Sequence, residues 1–135
     1  RMTTTDDVLP TVIALVRETL FLPAESEVRA EQLLFADLGC SSMEFLDLLF
    51  RLEHHFGIAI PHKTLYELAR GKLTDAEFAT DGVLLTDRGR EQLLALLADT
   101  PRDRFPPQIH AWMLYQYCTV GAVARLVTHL AARAS

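Results

Sequence analysis

The sequence predicts an all-α chain, and three observations carry that prediction. Apolar residues recur every three or four positions in separate segments, several of those segments open on Ser or Thr, and Gly or Pro stands at their far ends. The strand signal is confined to the turn dipeptide Asp81-Gly82, enough for at most a small β-hairpin. With 135 residues, half of them hydrophobic, the chain can build one compact core, so a single domain over 2–135 is expected. Arg1 precedes Met2 and is read as a remnant outside the natural start.

The first helix carries Leu9, Val12, Ile13, Val16 and Leu20 on one face, with Asp7 expected as its N-cap so that Pro10 falls in the first turn. From Phe21 to Ser41 the periodicity breaks, and Val28, Leu33, Leu34, Phe35 and Leu38 are spaced as anchors of a long loop across a core. Gly39 ends that loop. Ser41 or Ser42 then caps a second helix that runs to about Phe56, where Gly57 stops it. Its polar residues Glu44, Asp47, Arg51 and His54 or His55 form one narrow stripe, and nearly everything else on it is apolar. This helix is therefore packed on more than one side or keeps apolar surface for a partner.

Ile58 to Ile60 read as an extended connector closed by Pro61, followed by a short helix over 62–69. Thr86 caps a helix through Leu93, Leu94, Leu96 and Leu97, and Ile109, Trp112, Met113 and Tyr117 have the spacing of a short aromatic helix. The last helix starts near Thr119 and presents Val120, Val123, Ala124, Val127 and Leu130 on one face.

Composition excludes several functions. A formal net charge of -5 disfavours generic nucleic-acid binding, which rests on neutralising phosphates, and no run of about 18 apolar residues offers a membrane span. Cys40 and Cys118 lack the spacing of a disulfide framework or a zinc site, and a reducing cytoplasm is the expected compartment. The five histidines offer no triad or metal spacing, and no GxSxG elbow follows a strand, so neither catalysis nor a metal site is expected. The segment Val83–Leu97 looks like the wing and helix of a winged-helix regulator, a weakly specific motif opposed by the acidic balance.

Ser42 is the informative residue. Its plain reading is a helix cap worth about 1 kcal/mol. A hydroxyl at a helix mouth also lies where unpaired amides and the helix dipole favour a phosphate ester. The order DLGCSSME, an apolar helix and then FGIAIP, with CTVGAVARLV downstream, resembles the acyl and peptidyl carrier protein family over about two thirds of the chain. Two departures stand out: Ser41 occupies the position of the family's usual Asp, and the segment 71–117 is inserted before the closing helix.

The resemblance implies a four-helix carrier bundle with a mainly helical insertion, expected to fold against the bundle as added core or as a recognition surface. It also implies that Ser42 takes 4'-phosphopantetheine from coenzyme A and holds acyl or aminoacyl groups as thioesters. Glu44, Asp47 and Glu53 would then be recognised by partner enzymes, beside Met43, Leu46 and Phe50, although core packing is the plainer reading of each of those three apolar residues. Implied partners are a phosphopantetheinyl transferase, a loading ligase or acyltransferase, and ketosynthase, condensation or tailoring enzymes of a polyketide, nonribosomal peptide or other specialised pathway. A stand-alone monomeric carrier is expected; the rival is a carrier-like interaction domain that is never modified.

Overall fold

A computed structural model describes residues 4–134, so the expectations about Arg1 and Met2 fall outside the described residues. The chain is mainly helical, as its periodicity predicts, and divides into two compact units. The first takes in the described residues up to Ile60 and from Thr119 onward; the second is Pro61–Cys118.

The first unit is built on α1 (Thr5–Thr19), α2 (Ser42–Phe56) and α6 (Val120–Ala134), which pack on one another. Val8, Val12 and Val16 of α1, Phe45, Leu48, Leu49 and Leu52 of α2, and Val120, Val123 and Val127 of α6 are buried. Deleting the side chain of any one down to Ala would cost about 2–5 kcal/mol for a Leu-sized residue.

The N-cap of α1 is Thr4 rather than Asp7. Asp7 instead closes a capping box, accepting from the Thr4 N–H at 3.2 Å while donating its own N–H to Thr4 Oγ1. Two backbone donors satisfied at once outweigh the single donor lost at Pro10, which lies inside the helix on an exposed position.

The other end of α1 is unusual. Phe21 donates its N–H to Glu18 O, Leu22 donates to Arg17 O, and Phe21 itself sits at φ 55°, the left-handed conformation that such a cap normally gives to glycine. The residue is 87 % exposed. Phe21→Gly is expected to raise stability by about 1 kcal/mol, read as a higher midpoint in urea with an unchanged slope; a lower midpoint would mean that the ring contributes packing that its exposure hides.

The loop from Phe21 to Ser41 is tied down by its own backbone. Val28, Leu33 and Leu34 are buried and Phe35 and Leu38 half-buried, close to the anchoring expected of them. Asp37 accepts from the Leu33 N–H at 2.8 Å, Gly39 takes φ 71°, and Cys40 N donates to Leu34 O. The same loop closes α6: Val120 N and Gly121 N donate to Gln32 O and Ala30 O, while Thr119 Oγ1 accepts from Ala122 N. Buried helix ends need such partners.

The second unit contains α3 (Thr64–Arg70), α4 (Asp75–Phe78), the strands β1 (Ala79–Thr80) and β2 (Leu84–Leu85), and α5 (Asp87–Leu96). The hairpin expected at Asp81-Gly82 is there: β1 and β2 pair antiparallel, and both turn residues have positive φ, 53° and 71°. Thr86 caps α5 as expected, accepting from Gly89 N at 3.0 Å.

The short aromatic helix expected over 109–117 is not formed. Only Leu114–Tyr117 makes a 3₁₀ turn, because Leu85 N donates to Ile109 O and Ala111 N donates to Val83 O, committing that backbone to the hairpin. Ile109 and Tyr117 are buried; Trp112 is exposed. Helical spacing in a short segment does not reveal a distant backbone partner.

Candidate functional site

The two adjacent serines have separate duties. Ser41 is the N-cap of α2: its Oγ accepts from Glu44 N at 3.1 Å, and its N–H donates to Glu44 Oε1 at 2.9 Å. Ser42 is the first residue of the helix, exposed, with a hydroxyl that makes no hydrogen bond to the described residues.

The local sequence dictates this division. Gly39 in the left-handed region turns the chain after the Asp37 loop, Cys40 is buried, and Ser41 adopts the extended φ of -87° and ψ of 166° that a cap needs. With Ser41 Oγ on Glu44 N and Ser41 O on Phe45 N, the amides of Ser42 and Met43 are the first-turn donors left without an intrahelical acceptor. A phosphodiester on Ser42 Oγ would lie against those amides and the positive end of the helix dipole. An exposed, unengaged hydroxyl on a rigid helix therefore fits a phosphopantetheine ester.

Cys40 is the other nucleophile nearby. Burial, and secondarily the Glu44 carboxylate, push its thiol up to about 11, so at neutral pH it is a protonated, inert neighbour. Among the described residues no group of three or more His, Cys, Asp or Glu side chains is arranged to hold a metal ion.

The expected recognition residues divide in a way the sequence does not anticipate. Core packing of Met43, Leu46 and Phe50 is corrected: they are 81 %, 44 % and 67 % exposed. Positions 43, 46 and 50 share one helical face, and the buried positions 45, 48, 49 and 52 share the opposite one. The carboxylates, by contrast, have structural partners. Glu44 serves the capping box, Asp47 Oδ1 pairs with Arg51 Nε at 3.2 Å, and Glu53 Oε2 accepts from Ile60 N at 2.7 Å. Arg51 also reaches Glu18 of α1 at 2.6 Å, so Asp47 sits in a bridged cluster rather than as a free anion. Phe21, which sequence reasoning missed, adds a second large exposed ring to this unit; Phe just past the helix C-cap, where Gly is usual, was the available signal.

Comparison with known proteins identifies the family. The family model for the phosphopantetheine attachment site matches residues 10–70, ending where the segment 71–117 begins. The acyl carrier protein AcpXL of Rhizobium meliloti (strain 1021) is 34 % identical over 79 residues, which is 58 % of this chain and 79 % of the relative. The acyl carrier protein AcpXL of Rhizobium etli is 33 % identical over 78 residues, 57 % of this chain and 80 % of that relative. No solved structure matches. The group this family implies is 4'-phosphopantetheine, covalently held. A match that spans most of the relatives' length, on a helical fold with α1, α2, α3 and α6 in the expected order, places the chain in the acyl carrier protein family.

Proposed function

We propose that Ser42 is the attachment point of the phosphopantetheine arm and that the chain carries acyl or aminoacyl intermediates as thioesters on the thiol at the end of that arm. The observation that supports this best is the split of labour at the helix mouth: Ser41 is engaged as the cap, and Ser42 is exposed and unengaged. In loading, the Ser42 Oγ–P bond forms as the pyrophosphate of coenzyme A breaks, adenosine 3',5'-bisphosphate leaves, and the hydroxyl proton passes to a base of the transferase. This chain supplies the hydroxyl, the neighbouring amides and the rigid helix, and no catalytic group.

Its partners are then a phosphopantetheinyl transferase, a loading ligase or acyltransferase, and ketosynthase, condensation or tailoring enzymes of a specialised pathway. Met43, Leu46 and Phe50 supply an apolar docking strip, edged by Glu44, Asp47 and Glu53. Three exposed apolar side chains on one helical face give a partner a continuous apolar strip to cover. Among the described residues no helix is long and apolar enough to cross a membrane. The 2–135 chain would act as one carrier, with 71–117 as additional folded structure.

Intact-mass measurement after incubation with coenzyme A and a broad-specificity phosphopantetheinyl transferase tests the reading. One added phosphopantetheine is expected, followed by one alkylation under mild iodoacetamide treatment at pH 7, at the arm's solvent-exposed thiol rather than at buried Cys40 or Cys118. An unchanged mass with several active transferases would favour the unmodified interaction domain and overturn the carrier assignment.

A further inference from the structure

The second unit holds an open groove of about 540 Å³, a size typical of small-ligand sites. Leu65 and Tyr66 of α3 form one part of its lining, and Trp112, Leu114 and Tyr115 another. Trp112 is 70 % exposed, an arrangement in which a large ring gives up burial that would otherwise stabilise the fold. An aromatic and aliphatic surface is thus left open to solvent in a segment that the carrier function does not require.

Its charges are unequally engaged. Asp75, the carboxylate that lines the groove, is already bound by the Tyr66 hydroxyl at 3.1 Å and by Arg70 Nη1 at 3.2 Å. Lys63 and His62 also line it, both exposed, and Lys63 forms no ion pair with the described residues. The groove therefore presents an apolar floor beside an uncompensated ammonium. An anionic ligand would gain from Lys63, and a neutral one would not.

We propose that this groove reversibly binds a free carboxylic acid with an acyl or aryl body, its carboxylate on Lys63 and its apolar part against Trp112, Tyr66 and Leu114. The assignment goes beyond the carrier reading and does not depend on Ser42. Lys63 supplies charge selection and the ring surfaces supply most of the contact area.

Trp112 is the chain's one tryptophan and reports on its own site. Titrating the full, unloaded chain with decanoate below its micellar concentration should give a saturable shift of Trp112 emission to shorter wavelength. Decanol should bind more weakly and decylamine more weakly still. Lys63→Glu should weaken decanoate binding by about tenfold, while Lys72→Glu, an exposed charge reversal outside the lining, and Ser42→Ala should leave it unchanged. A non-saturable response, equal affinity for decanoate and decanol, or equal effects of Lys63→Glu and Lys72→Glu would overturn the proposal. None of those results bears on loading at Ser42, so the two readings fail separately.

Discussion

Ser42→Ala is expected to abolish phosphopantetheine loading with no loss of stability, and Ser41→Ala to do the reverse. The Ser42 hydroxyl makes no hydrogen bond to the described residues and stands at the first helical position, where Ala is a better helix former than Ser. Its removal takes away the phosphate ester's oxygen and nothing that the fold uses. Ser41 Oγ satisfies Glu44 N, and the Glu44 carboxylate returns to the Ser41 N–H. Ser41→Ala opens half of that box, at a cost of about 1 kcal/mol, and leaves the attachment oxygen in place. Intact mass after transferase treatment and a urea titration, run on both variants, separate the roles. Loading that persists in Ser42→Ala and disappears in Ser41→Ala would move the attachment point by one residue and invert the cap assignment.

The local signals were legible because their causes are local. The second helix, its Gly57 stop, the Thr86 cap and the Asp81-Gly82 hairpin each follow from residues within a few positions of one another. The division between Ser41 and Ser42 was not legible, since either residue type caps well and only the backbone decides which is extended. Nor did the sequence separate the two apolar faces of α2, whose residues are chemically alike and whose burial depends on what packs there. Over 109–117 the spacing was helical, but bonds to a hairpin some 25 residues earlier set the conformation. The groove beside Trp112 was hidden for the same reason: its lining comes from α3 and from a turn almost 50 residues downstream.

Gly89→Ala tests the same contrast between local propensity and distant packing, and here the two predict opposite signs. By propensity alone, replacing Gly by Ala in a helix stabilises by up to about 1 kcal/mol. Gly89 lies in the first turn of α5 at ordinary helical φ, yet a Cβ built there would come within 2.1 Å of the Phe78 carbonyl oxygen and 3.0 Å of the Phe78 ring. Neither neighbour can withdraw cheaply. Phe78 O accepts from Thr86 N at 2.9 Å, which joins α4 to the cap of α5, and the Phe78 ring is fully buried with its centroid 4.9 Å from that of Tyr66. Relieving the overlap means breaking that bond or shifting a packed aromatic, so Gly89→Ala should destabilise the second unit by about 3 kcal/mol. Gly82→Ala is the internal comparison. Its Cβ would meet nothing within 4 Å, and its cost should be only the left-handed strain at φ 71°, about 1 kcal/mol. Thermal melts of both variants decide the matter: a Gly89→Ala chain as stable as the parent, or less affected than Gly82→Ala, would mean that α5 and Phe78 are not packed this closely.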